Sequence, residues 1–489
     1  MSSRAERGDL RRRLLRHYVP RNDMKANSMK IIKSNGLKGT IHIPGDKSIS
    51  HRAIMLGALA DGETVVENFL MGEDCLATIE CFRKMGIKIE IQNPKSKVQI
   101  KSQIPMSNKI KIYGNGLHGL QAPKEPLYVG NSGTTIRILS GILAGQKFAS
   151  EISGDASIQK RPMQRIVEPL RQMGAKIEGQ GSSSKGQGEI LAPLKFSPSK
   201  LKGIEYKLPI ASAQVKSCLL LAGLFAKGKT TVVEPSPSRD HTERMLESMG
   251  VKVSRDQGIK GQGSSLTIAG GQKLKAAHIF VPGDISSAAF FMAAGLIVPN
   301  SEITIKNVGI NPTRDGIIDV LHRMGANIEI ENEQMLSGEL RADIKVISLP
   351  AGKAGQKSKV KSLKAIRISG EIIPRLIDEI PIIALAATQA EGTTIIKDAK
   401  ELRVKESDRI KAIATELRKL GANIEELDDG LKITGPTSLK AATCESGGDH
   451  RIAMMCAIAG LIAEGETVNN DTRCIDTSFP GFEEILNLL

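Results

Sequence analysis

The sequence contains no tryptophan, and aromatic residues make up only 3% of its 489 residues. Single-stranded nucleic acids stack on aromatic side chains, so this scarcity weighs against a nucleic-acid-binding protein. The net charge of +15 keeps that class open, because a basic surface is also the electrostatic footprint of nucleic-acid binding. A basic repeat protein that binds nucleic acid therefore stays an alternative. An anionic membrane and anionic small molecules are the other partners that such a charge favours.

Long hydrophobic runs and paired cysteines are also missing. The longest nearly uncharged apolar stretch, 452–463, is shorter than the roughly 20 residues that a membrane-spanning helix needs. The six cysteines include no C-x-x-C pair, which indicates free thiols in a reducing cytoplasm. We expect a cytoplasmic protein that does not enter the membrane.

Length and composition indicate a folded protein with more than one domain. The chain is longer than a single hydrophobic core usually grows, and its 40% hydrophobic and 25% charged residues are ordinary for globular proteins. Residues 1–28 differ from the rest, with eight basic residues against three acidic ones. This segment lacks the apolar core of a secretory signal, and its acidic residues argue against a transit peptide. We expect a disordered extension followed by patterned sequence from Met29.

One unit recurs six times along the chain. In each copy a helical run of small apolar residues stops at a Gly or Asn, and a strand rich in Thr or β-branched residues follows. The stop residues, which suit a left-handed conformation, are Gly62, Gly145, Gly228, Asn300, Gly392 and Gly465. A second signature, a helix closing in Met-Gly or Leu-Gly before a strand, recurs five times. The repeats predict an α/β fold of the α+β type with three units in each half.

The two helix types differ in polarity. Helices of the first type are apolar nearly all round, which is typical of helices inside a domain. Those of the second type carry charged residues on one face, as in 410–420. We therefore expect buried helices wrapped by sheets, with Gly/Ser/Lys-rich hairpin tips at 181–188, 257–265 and 351–362.

The starts of the predicted buried helices carry polar residues that favour anions. The first opens with PGDKSISHR, in which Ser48 can cap the helix between Lys47 and Arg52. Free N–H groups, the helix dipole and two cations together make an anion site. An ordinary capped helix with solvated charges is the simpler alternative.

Two later helix starts repeat this chemistry less clearly. GNSGTTIR offers Gly133, where a ligand can approach the backbone, and Arg137 one turn inside the helix. ASAQVKS presents Ser212 and Gln214. Asn and Ser before a helix are more often simple caps, so these motifs gain weight only from their shared place in the repeat.

Two arginines lie near the same helix starts. Arg161 stands in SIQKRPM and Arg239 in SPSRDHTERM. An isolated arginine is most often a solvated surface residue, but several that converge on helix starts favour one anion-binding site.

The second half of the chain adds carboxylates. Asp378 precedes Pro381 in RLIDEIPIIALAA, where it could cap a helix or act as a general base at the edge of a buried helix. In RVKESDR, Lys405 and Arg409 would share a helix face and grip an anion, with Glu406 or Asp408 as a simpler source of compensating charge.

GGDHRIAMMCA places a histidine and an arginine at the start of the last buried helix. His450 has no His or Cys at metal-ligand spacing, so it is more simply structural and no metal is predicted. Arg451 is the stronger functional candidate because of its position at a helix start.

Eight segments, in order, resemble one family. They are GDKSISHR, GNSGTTIR, QKRPM, SAQVKS, SRDHTE, IDEIP, RVKESDR and GDHRIAM, and the resemblance to the 3-phosphoshikimate 1-carboxyvinyltransferase (EPSP synthase) family covers 29–489. The resemblance implies a two-domain inverse α/β barrel with the active site in the cleft. One domain would comprise 29–46 and 283–489, and the other 47–282.

The resemblance also implies the reaction and its residues. The enolpyruvyl group of phosphoenolpyruvate would move to the 5-hydroxyl of shikimate 3-phosphate through a tetrahedral intermediate, a shikimate-pathway step toward aromatic amino acids, without cofactor or metal. Catalysis would fall to Lys47, Asp378, Lys405 and Glu406. Shikimate 3-phosphate would be bound by Lys47, Ser48, Arg52, Ser212, Ala213, Gln214, Arg239, Asp378 and Lys405. Phosphoenolpyruvate would be bound by Lys47, Gly133, Arg137, Arg161, Gln214, Arg409 and Arg451.

Two departures from the family's commonest form are Ala213, where a second Ser is usual, and Thr477, where many members have Lys. Ala213 removes a hydroxyl contact but not the reaction. Gly133 stands where some glyphosate-insensitive members have Ala, so we expect glyphosate to compete with phosphoenolpyruvate. By analogy a monomer is expected. The related UDP-N-acetylglucosamine enolpyruvyl transferases are an alternative, but they use a reactive cysteine in a mobile loop, and no cysteine here lies in such a segment.

Overall fold

The computed structural model describes residues 28–92, 108–181, 189–256, 263–348 and 362–489. The predicted extension and most of the three predicted hairpin tips lie outside these ranges. No helix within them is long and apolar enough to cross a membrane. Their α-helices are α1 (Lys47–Leu59), α2 (Glu73–Lys84), α3 (Gly133–Ala144), α4 (Gln164–Gln172), α5 (Ala213–Gly223), α6 (His241–Ser248), α7 (Ile285–Ile297), α8 (Gly316–Arg323), α9 (Ile373–Leu376), α10 (Ile380–Ala387), α11 (Arg409–Lys419), α12 (His450–Gly460) and α13 (Phe482–Asn487).

The strands are short and mostly alternate between buried and exposed side chains. They are β1 (Met29–Ile32), β2 (Lys38–His42), β3 (Ala60–Glu67), β4 (Lys88–Gln92), β5 (Lys109–Asn115), β6 (Leu127–Tyr128), β7 (Ser150–Ser153), β8 (Lys176–Gln180), β9 (Leu191–Ser197), β10 (Glu205–Lys207), β11 (Lys229–Glu234), β12 (Val253–Asp256), β13 (Ser264–Ala269), β14 (Leu274–Lys275), β15 (His278–Phe280), β16 (Glu302–Gly309), β17 (Asn327–Leu336), β18 (Glu339–Ile347), β19 (Arg367–Ile368), β20 (Gly392–Ile396), β21 (Asn423–Leu427), β22 (Gly430–Gly435), β23 (Thr443–Glu445) and β24 (Glu466–Asn470).

The described strands form six sheets with one recurring plan. Their strand orders are β1-β24-β23, β14-β3-β5-β4 with β15 also on β3, β6-β7-β9-β8, β10-β11-β13-β12, β17-β18-β16-β2 and β19-β20-β22-β21. In the unit that contains β11, for example, β10 runs parallel to β11, which pairs antiparallel with β13. The same parallel entry and antiparallel continuation recur at β7 and β20. The mixed α/β class that the repeats predicted is confirmed.

The stop residues of the repeats end their helical runs by backbone conformation. Gly62, Gly228, Gly392 and Gly465 have φ between 95° and 110°, and Asn300 has φ 57°. A positive φ costs Gly nothing and Asn little, as the sequence pattern required. Gly145 differs, with φ −90° at the end of α3, so the prediction of a left-handed residue is wrong there.

The helices of the first type are buried and lie against the sheets. In α1, residues 49–59 are all buried, and α7 is buried from Ile285 to Leu296. Helix α11 is only partly buried, with its charged face outward. The prediction of an apolar inner helix set and an amphipathic outer set is confirmed, because the inner helices have no polar face to present to water.

The buried hydrophobic residues separate into two clusters. One runs from Ile49 to Val281, and we call the part of the chain around it lobe A. The other combines 29–43 with 285–486, and the part around it is lobe B. The chain passes between the lobes at two adjacent crossings, where Asp46 N–H donates to the Pro282 carbonyl at 2.8 Å and Gly45 bridges Gly283. The two crossings bring the starts of α1 and α7 together.

Candidate active site

A cavity of about 750 Å³ lies between the lobes, and helix starts surround it. Asp46 caps α1 by accepting from Ile49 N–H at 2.8 Å, and Ser132 caps α3 by accepting from Thr135 N–H at 3.1 Å. Ser48 was expected to be the cap of α1, but the cap is Asp46, two residues earlier, and Ser48 lies in the first turn of the helix. The first-turn residues Lys47 and Ser48 of α1 and Gly133 and Thr134 of α3 line the same cavity, and the positive end of a helix dipole favours anions.

The cavity collects almost every predicted site residue. The predicted residues that line it are Lys47, Ser48, Gly133, Arg137, Arg161, Ser212, Ala213, Gln214, Arg239, Asp378, Lys405, Glu406, Arg409 and Arg451. These residues come from both lobes and are up to four hundred positions apart in sequence. Of the predicted set, Arg52 does not line the cavity.

Arg52 is 3% exposed and lies behind the cavity wall. Its guanidinium donates to Thr242 Oγ1 at 2.6 Å, Ser217 Oγ at 2.9 Å and the Ser48 carbonyl at 2.9 Å. Burial lowers the pKa of Arg52 to about 10. The structure therefore gives this cation protein acceptors and a place beneath Ser48 instead of a direct opening to the cavity.

Lys47 carries its charge toward a carboxylate that the sequence did not single out. Its ammonium lies 2.5 Å from Asp74 Oδ2, in the first turn of α2. Burial lowers the pKa of Lys47, but Asp74 and Glu406 outweigh burial and raise it above the ordinary value. Lys47 is thus held as a cation on the cavity wall.

Two arginines flank Gly133 at the start of α3. Arg137 Nη1 donates to Gln214 Oε1 at 2.8 Å, and Arg161 Nη2 donates to Asn131 Oδ1 at 2.7 Å. A Cβ on Gly133 would lie 3.0 Å from Arg161 Nη1 and 3.1 Å from Arg137 Nη1, so only glycine leaves both guanidiniums where they are. Burial and the neighbouring Arg165 and Arg161 lower the pKa of Arg137 to about 9. A bound anion would relieve this repulsion.

Asp378 is surrounded by four cations. Arg239 forms a short ion pair with it, and its Oδ1 lies 3.3 Å from Arg409 Nη1 and 3.8 Å from Lys405 Nζ. Arg451 Nη2 is 3.9 Å from Oδ2. Burial raises the pKa of Asp378, but these cations outweigh burial and hold it well below the ordinary value. Helix α10 begins at Ile380 with Glu379 before it, so Asp378 is not the helix cap.

Lys405 and Arg409 do not share a helix as predicted, because Lys405 follows a short 3-10 helix and α11 begins at Arg409. Arg409 is 1% exposed and donates from Nε to Asp449 Oδ2 at 2.8 Å. Its Nη2 is 2.6 Å from Glu406 Oε2, and Glu406 Oε1 is 3.8 Å from Arg161 of lobe A. The cations outweigh burial and hold the pKa of Glu406 well below its ordinary value.

Several cavity residues were missed or undervalued in the sequence. Arg165, Arg314, Glu401 and Asp74 line the cavity, and none was among the predicted site residues. His450 also lines the cavity and is 3% exposed, although the sequence favoured a purely structural histidine. Burial, then Lys47 and Arg451, lower its pKa to about 3, so the imidazole is neutral at physiological pH.

The two departures from the family pattern have different places. Ala213 follows the cap residue Ser212 and presents a methyl group to the cavity. Thr477 ends a short 3-10 helix and is not among the described residues that line the cavity. Its carbonyl oxygen packs near Gly72, only 2.6 Å from where a Cβ would stand.

One group within the described ranges has the residue types and spacing of a metal site. Glu416, Cys444 and Cys456 are buried, with their ligand atoms within 4.8 Å of one another. The Glu416 carboxylate already accepts from Lys419 at 2.8 Å and from Glu445 N–H at 3.0 Å. This group belongs to the core of lobe B and does not line the cavity.

Comparison with known proteins identifies the family. The model of the EPSP synthase (3-phosphoshikimate 1-carboxyvinyltransferase) family matches residues 31–486. A 3-phosphoshikimate 1-carboxyvinyltransferase of Bacillus subtilis is 55% identical over 462 residues, which cover 94% of this chain and 99% of the relative. One of Bacillus licheniformis is 53% identical over the same shares. The structure of EPSP synthase from Acinetobacter baumannii is 44% identical, with a TM-score of 0.78 over 94% of this chain and 97% of that one. The chain therefore belongs to the EPSP synthase (3-phosphoshikimate 1-carboxyvinyltransferase) family.

Proposed function

We propose that the chain transfers the enolpyruvyl group of phosphoenolpyruvate to the 5-hydroxyl of shikimate 3-phosphate and releases phosphate. The observation that carries this function is Asp378, an ionised carboxylate within ion-pairing distance of four cations in the cavity between the lobes. A base beside cations suits a reaction in which two anions must meet and a hydroxyl must lose its proton.

Shikimate 3-phosphate would be bound mainly by lobe A. Its phosphate would take hydrogen bonds from Ser212, Gln214 and Arg239, and Lys47 and Ser48 would contact the hydroxyl side of the ring. We assign Arg52 a supporting place, because it donates to the Ser48 carbonyl at 2.9 Å and is sealed from the cavity. Lobe B would complete the site with Asp378 and Lys405.

Phosphoenolpyruvate would lie against Gly133 and the cations around it. Arg161 and Arg137 would approach it from lobe A, with Lys47 beside them and Gln214 holding Arg137 in place. Arg409 and Arg451 would approach from lobe B. Charge-assisted hydrogen bonds from guanidiniums to phosphate and carboxylate are among the strongest that a protein makes.

The proposed steps use both lobes. Asp378 takes the proton of the 5-hydroxyl as its oxygen attacks C2 of phosphoenolpyruvate, while the Lys405 ammonium delivers a proton to the methylene carbon. The tetrahedral adduct then gives a proton from its methyl group to the Glu406 carboxylate or to the Lys405 amine and expels phosphate, which leaves the enol ether. Arg239 would leave Asp378 for the substrate phosphate, and loss of that cation would make Asp378 a stronger base.

We further propose that the lobes are domains with the boundaries 29–46 plus 283–489 and 47–282, and that they close over the substrates. The charge across the cleft supports closure, because Arg161 faces Glu406 at 3.8 Å. Closing would exclude water from the reacting groups. Glyphosate is proposed as a competitor of phosphoenolpyruvate at Gly133, and the protein as a cytoplasmic monomer.

The test is phosphate release from phosphoenolpyruvate with shikimate 3-phosphate or with UDP-N-acetylglucosamine as acceptor. We expect release only with shikimate 3-phosphate, and we expect Lys47→Ala to abolish it. Release only with the sugar nucleotide would overturn the substrate assignment, and release with neither acceptor would overturn the proposed activity.

A further inference from the structure

Glu401 links Lys405 to the opposite lobe. It lies in the short 3-10 helix Lys400–Val404 of lobe B, directly before Lys405. Its Oε1 is 3.4 Å from Lys405 Nζ and 3.8 Å from Nη1 of Arg165, which belongs to α4 in lobe A. All three side chains line the cavity. One carboxylate oxygen therefore faces a proposed catalytic ammonium and a cation from across the cleft.

Two carboxylates lie near the ammonium of Lys405. Glu401 Oε1 is 3.4 Å away, and Asp378 Oδ1 is 3.8 Å away. A lysine side chain is long and flexible, so its position follows the charges around it. Without Glu401, the ammonium would be drawn toward Asp378 alone, onto the proposed base and away from the methylene carbon that it serves.

Among the described residues that line the cavity, three ion pairs join the lobes. They are Arg239 with Asp378, Arg161 with Glu406, and Arg165 with Glu401. The first two use groups that the bound anions would claim. Arg165 and Glu401 have no assigned part in binding, so their contact can persist when the substrates are present.

We propose that Glu401 is a positioning residue for Lys405 and that Arg165 holds Glu401 in place across the cleft. This inference rests on the proposed function, because Lys405 matters only if the cavity performs that reaction. It does not require Glu401 to touch a substrate. The pair contributes little to folding, since the side chains are 25% and 35% exposed and such ion pairs are weak.

The experiment compares Glu401→Gln in the wild-type chain and in a Lys405→Met chain. We expect Glu401→Gln to lower kcat about 10-fold in the wild type, less than the roughly 100-fold cost of a 1 Å misplacement. In the Lys405→Met background it should change kcat less than about twofold, because residues that act as a unit are not additive. Glu425→Gln, which removes the partner of Lys432 outside the cavity, is the matched control.

Arg165 provides the second arm. Arg165→Gln should also lower kcat, but less than Glu401→Gln does. The double exchange of Arg165→Glu with Glu401→Arg should not restore kcat, because it places a cation beside Lys405. Thermal midpoints should match the wild type throughout. The inference would be overturned if Glu401→Gln lowered kcat equally in both backgrounds. It would also be overturned if the wild-type chain were active and Glu401→Gln left its kcat unchanged. An inactive wild type would overturn the proposed function instead.

Discussion

The two lobes bring different charges to the same cavity. Among the described lining residues, lobe A contributes five Lys or Arg side chains and only one carboxylate, Asp74, which is paired with Lys47. Lobe B contributes six Lys or Arg side chains and five carboxylates. Each lobe presents the starts of buried helices, so the difference does not come from the fold. It indicates that lobe A mainly supplies affinity for anions, and that lobe B supplies the proton chemistry.

Removing the base of lobe B tests this division between the lobes with the largest expected effect. Asp378→Asn keeps the shape of the side chain and should lower kcat about 1,000-fold, within the range that general base catalysis contributes. The KM values should change far less. Steady-state phosphate release measures both. Asp343→Asn, which alters a carboxylate of lobe B bound to Lys306, should leave kcat unchanged. If Asp378→Asn raised KM and left kcat unchanged, Asp378 would be assigned to binding.

A cation of lobe A should show the opposite pattern. Arg161→Gln should raise the KM for phosphoenolpyruvate about 10- to 100-fold, the cost of charged hydrogen bonds worth about 1.5–3 kcal/mol. The effect on kcat should be smaller. Arg255→Gln, in an exposed pair with Glu247 of the same lobe, is the control. A variant that loses kcat at unchanged KM would contradict the division between the lobes.

Gly133→Ala sharpens the account of lobe A. The added Cβ would lie 3.0 Å and 3.1 Å from nitrogens of Arg161 and Arg137, so both guanidiniums must shift by a few tenths of an ångström. Glyphosate is longer than phosphoenolpyruvate and should lose about tenfold in affinity, or 1.4 kcal/mol. The KM for phosphoenolpyruvate should change less. Inhibition curves for both proteins test this, and an unchanged glyphosate affinity would place the inhibitor elsewhere.

The neutral His450 of lobe B should make the free energy of unfolding depend on pH. Its pKa is about 3 in the folded protein and near 6.5 in the unfolded chain. As pH falls below 6.5, only the unfolded chain gains this proton, so the free energy of unfolding falls by up to about 1.4 kcal/mol per pH unit. Above pH 6.5 the imidazole is neutral in both states, so none of this free energy of unfolding is lost. Denaturant unfolding of His450→Gln between pH 7 and 4 should show a shallower decline, and parallel curves would contradict the burial of a neutral imidazole.

Periodicity predicted the layers of the fold because buried and exposed helices must differ in polarity. It predicted the inner helices, the outer helix α11 and most of the left-handed stop residues. Gly145 is the exception, because the backbone leaves the end of α3 without turning to a positive φ. A glycine marks where a turn is allowed, and the packing around it decides whether one forms.

The lining of the cavity was predicted best where short motifs stand at helix starts. Lys47, Arg137 and Arg409 were identifiable because cations cluster there. Asp74 and Glu401 were not, because a carboxylate near a helix start is also an ordinary helix residue, and their partners Lys47 and Arg165 are distant in sequence. Arg52 shows that a cation at a helix start can instead face inward, to Thr242 and Ser217. Side-chain direction depends on three-dimensional neighbours that a local pattern does not contain.

The most direct test is a calorimetric titration of Asp378→Asn with shikimate 3-phosphate. Arg239 is paired with Asp378, so the carboxylate would compete with the incoming phosphate for this cation. If lobe A supplies the affinity, removing this competitor should lower the Kd or raise it by no more than about threefold. A threefold rise corresponds to a loss of less than about 1 kcal/mol in binding free energy. A Kd raised tenfold or more would show that the base of lobe B is itself a main source of affinity, and the division between the lobes would be wrong.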